Sequence, residues 1–229
     1  MSGYFLPPHV HFCQRGDAFV FLDLKQDDYT LVNGASATAL QALSKQMATP
    51  AFFEHDLKDA LNELLKGGLL TTESNGRAIA PTHIDPAVEN LVDRETLLDT
   101  SVSLGQMVNC FAACITAKLS LRWRSIEATV MSVARRKAEH ASDRPFDLER
   151  ARALTAAFLK ARGLFPANYL CLFDSLALLH FLAKYGIYPT WVFAVNLEPW
   201  AAHCWVQHQH HTFNEDAEQA VTYTPVMVI

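Results

Sequence analysis

Residues 170–186 read "LCLFDSLALLHFLAKYG", and the architecture of the chain's second half depends on them. The leucines recur at helical spacing, which predicts a buried helix that ends at Gly186. Cys171 lies within a residue or so of the helix start, where Asn168 could be the cap. Unpaired backbone N–H groups and the helix dipole favour negative charge there, so a cysteine can become a thiolate near neutral pH. A small buried thiol in an ordinary core helix is the simpler alternative.

A histidine and an acid follow this helix at a suggestive spacing. After Gly186 the segments "PTWVFAVNL", "HCWVQHQ" and "HTFNE" predict antiparallel strands, and His203 begins the second of them. Papain-like and transglutaminase-like enzymes share the order of Cys at a helix start, then His and an acid on adjacent strands. In that chemistry the thiolate attacks a carbonyl, the imidazole carries the proton and the acid orients the imidazole. Strand register favours Glu215 as the acid, and Asp216 could serve if the strand bulges.

A known family matches these motifs. The segments "YLCLFDSLALLHFLAKYGIYPTWVFAVN", "HCWVQ", "FNED" and "YTPVMVI" resemble the B proteins of lasso peptide biosynthesis, which are transglutaminase-like leader peptidases. The resemblance implies that Cys171 is the nucleophile and His203 the general base and acid. Three positions depart from the family pattern. Glu215 follows the asparagine where Asp is usual, Asp174 lies where a basic residue is frequent, and Cys204 replaces an alanine. We expect Cys204 to face away from the neighbours of His203, as a packing substitution.

The N-terminal part predicts a small α+β unit. Short strands separated by turn residues cover roughly residues 10–32, helical patterns follow, and "LLTTE" predicts a last strand. The resemblance implies a winged-helix-like, PqqD-type module that binds an extended leader along residues 28–32 by β-augmentation. The candidate leader-binding residues are Tyr29, Thr30, Leu31, Leu57, Lys58, Leu61 and Leu65. The helices mix lysines with acids, which makes them a poor surface for nucleic acid.

Turn and breaker residues suggest the domain limits. The sequence predicts a leader-recognition domain over residues 1–76, a linker over 77–86 and a cysteine peptidase domain over 87–229. The second domain is expected to contain helices at about 104–123, 125–141, 147–162 and 171–185, followed by an antiparallel sheet. The predicted fold class is therefore α+β, with a transglutaminase-like (papain-like) C-terminal domain.

Composition limits the cellular location and the partners that the sequence predicts. The formal net charge is -5, so no overall positive field attracts nucleic acid or an anionic membrane. The N-terminus lacks the features of a signal peptide, which predicts a cytoplasmic protein. The apolar segment near residues 103–121 is interrupted by Gln106, Asn109 and Lys118, which favours a buried amphipathic helix over a membrane span. The five cysteines in such a chain do not predict a disulfide framework.

The remaining polar features carry weaker expectations. His208, His210 and His211 beside Cys204 could bind a metal, but a solvent-facing hairpin is simpler, and no cofactor is expected in the chain itself. The resemblance implies cleavage of the leader from a lasso precursor, beside an asparagine-synthetase-like cyclase through which ATP dependence could enter. Two alternatives stay open. One is a non-catalytic leader-binding scaffold, and the other is an acyltransferase or transglutaminase of the same fold.

Overall fold

The computed structural model describes residues 3–44, 54–140 and 146–229. The chain divides into two units. The first comprises Met1–His83 with Thr224–Met227, and the second comprises Ile84–Tyr223 with Val228–Ile229.

The first unit is built on a three-stranded antiparallel sheet followed by two helices. The strands have the order β1-β2-β3 and the helices follow in sequence: β1 (Val10–Arg15), β2 (Ala18–Asp23), β3 (Asp28–Val32), α1 (Gly34–Ser44) and α2 (Glu54–Lys66). The first hairpin turns at Gly16, whose φ of 60° is available to glycine without strain. Residues of the sheet and both helices share one apolar core, which includes Phe12, Phe21, Leu40 and Leu64.

The segment after α2 does not form the predicted strand. Leu69 and Leu70 are buried in the core of the first unit, and only Thr71 pairs, through an isolated bridge with Phe5. Burial of the two leucines therefore explains the apolar run that suggested "LLTTE" as a strand. Arg77 forms a second bridge, with Leu6, so the backbone pairing of the first unit extends past residue 76.

The second unit combines a helical bundle with a five-stranded sheet. The sheet order is β4-β7-β6-β5-β8, and β8 contributes residues to both units. The elements are β4 (Glu89–Asn90), α3 (Arg94–Asp99), α4 (Leu104–Trp123), α5 (Ile126–His140), α6 (Leu148–Arg162), α7 (Cys171–Ala183), β5 (Thr190–Leu197), β6 (Trp200–His208), β7 (His211–Thr212), α8 (Ala217–Ala220) and β8 (Thr224–Val228). The strands predicted after Gly186 pair antiparallel in β5, β6 and β7, and the sheet gains an unpredicted strand, β4, which pairs with β7 in parallel. The predicted "HTFNE" strand is reduced to two residues.

Helix α7 is the central helix of the second unit. Its buried residues lie on nearly every side, including Ser175, Leu178 and Phe181. It packs against α4, α6 and β6. The buried face of α4 carries the small side chains of Cys110, Ala113, Cys114 and Ala117, which allow two helices to approach closely. The chain leaves α7 at Gly186, whose φ is 74°.

Helix α4 is buried on one face only. Leu104, Val108, Ile115, Leu119 and Trp123 are all exposed on it. By length and composition α4 could cross a membrane, and 22% of its apolar window is buried. The contacts with α6 and α7 nevertheless identify it as a helix that covers a protein core, and one such helix is weak support for a membrane span. The prediction of a buried helix is therefore correct for one face.

Candidate active site

Helix α7 presents Cys171 as its first residue. Leu170 is the cap residue, and its aliphatic side chain accepts no hydrogen bond from the first turn. The prediction that Asn168 caps this helix is wrong, because the helix begins at Cys171 and Asn168 lies two residues before the cap position. The backbone carbonyl of Asn168 accepts a hydrogen bond from Arg162 Nη2 at 3.0 Å. Within the described residues no side chain caps the first turn of α7, so the Cys171 amide at the helix start could donate to a developing oxyanion.

Strand β6 carries His203, which lies opposite Ala194 of β5. Its Nε2 forms a short contact with Glu215 Oε2. Both side chains are 19% exposed, so the pair is shielded but still open to solvent. Because Nε2 faces the carboxylate, Nδ1 is the nitrogen left to exchange a proton with the thiol.

The structure brings Glu215, and not Asp216, to the imidazole. Asp216 is exposed and caps α8, where its side chain accepts a hydrogen bond from Glu218 N at 2.8 Å. Glu215 is fixed from the other side too, since its Oε1 accepts a hydrogen bond from Asp216 N at 3.0 Å. Of the two acids left open by the sequence, the geometry favours Glu215.

A buried polar network joins the elements that carry these side chains. Asn214 accepts a hydrogen bond from Val206 N at 2.8 Å and donates one to Ser175 Oγ at 3.0 Å. Ser175, which is fully buried, donates to the backbone carbonyl of Cys204 at 3.3 Å. Helix α7, strand β6 and the segment that contains Glu215 are therefore held in fixed relation.

The site stabilises a thiolate beside an imidazolium. Hydrogen bonds from Cys204 and from His203 lower the pKa of the Cys171 thiol to about 4. The hydrogen bond to Cys171, supported by the bond and the charge of Glu215, raises the pKa of His203 to about 9. Between these values both groups carry charge, which is the state in which a cysteine attacks a carbonyl.

Cys204 corrects the expectation of an outward-facing packing residue. It does alternate with His203 along β6, but it is buried on a strand that packs against α7. The Cys204 thiol lies within hydrogen-bonding reach of Cys171, and this bond together with burial raises the pKa of Cys204 well above its usual range. Cys204 is thus a neutral donor to the neighbouring thiolate.

A cavity of about 260 Å³ adjoins the thiol. Apolar side chains of α6 and of the segment before α7 form part of its wall, beside Cys171, His203 and Glu215. Arg162 and Asp174 also line it, and sequence reasoning assigned no role to either. Arg162 gave no sequence signal because its partners lie on another helix, α7, and in the loop before it.

The candidate leader-binding residues are only partly available. Strand β3 lies at the edge of its sheet, with Thr30 and Leu31 exposed and Tyr29 half-buried. Lys58 is exposed on α2. Leu61 does not face a ligand, because it is 4% exposed in the core of the first unit, and Leu65 packs partly against the same core. The side chain of Leu57 lies outside the described residues.

The histidine-rich hairpin has structural partners instead of a shared ligand. His208 stacks on Phe146, and His211 Nε2 lies 2.9 Å from Glu89 Oε1. His210 contacts the backbone carbonyl of Pro86 at 3.0 Å. In the described parts of the chain, no three His, Cys, Asp or Glu side chains are grouped as a metal site would require.

A thiol at a helix start, an imidazole on a strand and a carboxylate beside it form the arrangement that cysteine-dependent enzymes use. Comparison with known families agrees: residues 130–228 match the Transglutaminase-like superfamily, and this segment is a transglutaminase-like domain. Such domains are commonly enzymes that use a cysteine. Searches of curated proteins and of solved structures returned no match.

Proposed function

We propose that this protein is a cysteine peptidase that cleaves the leader from a ribosomally made lasso peptide precursor. The observation that carries the proposal is that His203 contacts both Glu215 and Cys171, and that Cys171 is the first residue of a buried helix. The resemblance of residues 169–229 to lasso leader peptidases supplies the substrate class.

The reaction divides into acylation and hydrolysis. The Cys171 thiolate attacks the carbonyl of the leader's last residue, and protonated His203 gives its proton to the departing amine of the core peptide. The backbone N–H of Cys171 is one donor to the oxyanion, at the dipole-positive end of α7. Neutral His203 then takes a proton from water, which hydrolyses the thioester and releases the leader. Glu215 holds the imidazole orientation and stabilises its charged form.

The first unit supports a peptide substrate. Strand β3 is the edge of a three-stranded sheet, and Leu31 on it is 52% exposed. An edge strand offers unpaired main-chain groups, and an extended leader can add to it as a further strand. We propose that this edge of a PqqD-like module binds the leader and raises the local concentration of the cleavage site near Cys171.

Leader cleavage of this kind requires a partner enzyme. After cleavage, the new N-terminus of the core must be joined to a side-chain carboxylate, which needs an activated acyl group. An asparagine-synthetase-like cyclase that uses ATP would supply that step, in the cytoplasm. No nucleic acid or membrane partner is part of the proposal.

Mass spectrometry of the precursor tests the proposal. The precursor encoded beside this chain is incubated with the wild-type protein, with Cys171→Ala and with Cys13→Ala, with and without the cyclase and ATP. Cys13 is the matched control because it is a buried thiol of the first unit. Cleavage at one bond by wild type and Cys13→Ala, but not by Cys171→Ala, supports the peptidase. Binding of the leader without cleavage by any of the proteins would instead support a scaffold.

Leader binding is tested separately by fluorescence anisotropy of a labelled leader peptide. Leu31→Glu should weaken binding about tenfold or more, since it places a charge where the peptide would add. Val221→Glu is the matched control, because Val221 is 55% exposed and lies in the second unit. Equal effects of the two substitutions would contradict binding at β3.

The transglutaminase-like fold favours acyl transfer as the second candidate. A thioester at Cys171 can be captured by an amine instead of water. Incubation with a primary amine in millimolar excess distinguishes the two reactions. A leader that carries the amine at its C-terminus as the main product would identify an acyltransferase, whereas a free leader carboxylate would identify a hydrolase.

A further inference from the structure

Arg162, the last residue of α6, is a buried cation beside the candidate site. It is 1% exposed, and burying a guanidinium is costly unless its N–H groups are paired. Its Nε donates to Asp174 Oδ1 at 2.5 Å. The planar group also lies 4.6 Å from the ring centre of Tyr169 and 5.1 Å from that of Phe173. Arg162 is therefore fixed by charge and by two aromatic rings.

The remaining donors of Arg162 all reach the segment that precedes the nucleophile. Nη1 donates to the carbonyl of Phe165 at 3.3 Å, and Nη2 donates to the carbonyls of Ala167 and Asn168 at 3.2 and 3.0 Å. Three carbonyls within four residues thus depend on a single side chain. These bonds pair the donors of the buried guanidinium and also fix the backbone of residues 165–168.

Asp174 continues the connection to the nucleophile. Its Oδ2 accepts a hydrogen bond from Leu170 N at 2.7 Å, while its Oδ1 binds Arg162. Leu170 is the residue directly before Cys171, and its side chain cannot accept a hydrogen bond from the first turn. The carboxylate of Asp174 therefore sets the backbone at the point where the chain turns into α7, and with it the Cys171 amide and sulfur.

We propose that Arg162 and Asp174 are positioning residues, which hold residues 165–170 so that Cys171 meets His203 and the bound carbonyl in one fixed arrangement. This inference rests on the proposed peptidase. It assigns the pair to the chemical step, and not to recognition of the leader. Loss of the pair should lower kcat and leave KM and leader affinity nearly unchanged, because β3 lies in the first unit.

Paired substitutions test the proposal without leaving one charge buried alone. Arg162→Met/Asp174→Leu removes both charges and all of these hydrogen bonds, and apolar replacements of similar size are often tolerated. We expect kcat to fall about 100-fold, as misplacement of a reacting group by about 1 Å can cause. KM should change less than about twofold. Arg135→Met/Glu139→Leu is the control, since that pair is exposed on α5 with its atoms 3.7 Å apart.

Alkylation of Cys171 by iodoacetamide gives a readout that needs no substrate. The pH midpoint of the reaction should rise by about one unit or more in Arg162→Met/Asp174→Leu, because a displaced Cys171 loses its bonds to His203 and Cys204. Arg162→Met/Asp174→Asn keeps an oxygen that can accept from Leu170 N. We expect it to recover part of the wild-type midpoint, which a purely stabilising role would not produce.

The outcomes separate this inference from the proposed function. If wild type cleaves no precursor, the peptidase fails, but a shifted midpoint still supports the positioning role. A folded double variant with the wild-type kcat and midpoint would overturn the inference. The same follows if none of the paired variants folds by near-UV circular dichroism, since the pair would then be a stability element.

Discussion

Two pairs of cysteines lie in the second unit. In both pairs the two sulfurs are in contact, but the pairs differ in exposure and in their other partners. Cys110 and Cys114 are fully buried within α4. Their mutual hydrogen bond raises the pKa of Cys110 and lowers that of Cys114. Cys171 is partly exposed in a cavity, with Cys204 behind it. Contact between two thiols is common to both pairs and therefore explains no activity by itself.

The imidazole and the opening to solvent make the difference. His203 lowers the pKa of Cys171 further and would carry the proton of the leaving group, whereas the α4 pair has no imidazole within its described interactions. The α4 thiols pack against α6 and α7, where small side chains are needed, and Cys110 Sγ lies 3.9 Å from the carbonyl of Phe158. We therefore expect a reactive cysteine in this fold only where a thiol, a base and access to solvent coincide.

The largest expected effect tests that contrast directly. In the native protein at pH 6, iodoacetamide should label Cys171 roughly 100-fold faster than Cys110 or Cys114, because reaction of buried thiols requires local opening that costs several kcal/mol. Peptide mapping of the labelled protein measures the ratio. Comparable labelling of the α4 pair would mean that neither burial nor the imidazole distinguishes the two sites.

Removing the imidazole of His203 should make the Cys171–Cys204 pair resemble the Cys110–Cys114 pair. In His203→Ala, we expect the pKa of Cys171 to rise from about 4 toward the ordinary thiol value of about 8.5, and processing to be lost. Thiolate absorbance at 240 nm measures the midpoint. Cys171→Ala supplies the baseline without this thiolate. A midpoint that stays near 4 would assign the low pKa to Cys204 and the helix dipole instead.

The sequence could predict the features of both cysteine pairs that depend on residue type and on the spacing of apolar residues. Helix α4 was expected at about 104–123 and is Leu104–Trp123, and the α+β class with a transglutaminase-like domain is confirmed. Cys171 and His203 could be predicted as site residues because a thiol at a helix start and a histidine on a following strand are local signals.

The other parts depend on packing between distant segments. Cys204 obeys strand alternation, but the sequence does not say that its thiol reaches Cys171 at the start of α7. Arg162 and Asp174 are 12 residues apart. The sequence of side chains does not show which backbone carbonyls Arg162 binds. Leu61 was assigned to the leader although the stripe it belongs to is the face of α2 buried in the core.

A smaller effect is expected from the carboxylate. The activity profile should be bell-shaped, because thiolate is lost as pH falls through about 4 and imidazolium is lost as pH rises through about 9. Glu215→Gln removes a charge that raises the pKa of His203, so the alkaline limb should move to lower pH. Rates across pH 3–11 measure both limbs.

Asp216→Asn provides the control for that shift. Asp216 caps α8 and does not contact the imidazole, so the alkaline limb should stay in place. Asparagine is also a good cap, and stability should change by less than about 1 kcal/mol. An alkaline limb that moves in Asp216→Asn but not in Glu215→Gln would reverse the assignment of the acid.

The smallest expected effect concerns the second thiol of the reactive pair. The hydrogen bonds of Cys204 and of His203 both lower the pKa of Cys171, but a thiol is a weaker donor than an imidazolium and carries no charge. Cys204→Ala should therefore raise the midpoint of Cys171 ionisation by less than His203→Ala does, and cleavage should persist with its acid limb at higher pH. Cys114→Ala is the matched control within the α4 pair and should leave that limb unchanged. If Cys204→Ala abolished cleavage, the Cys204 thiol would be essential for the reaction. That result would contradict the conclusion that contact between two thiols explains no activity by itself.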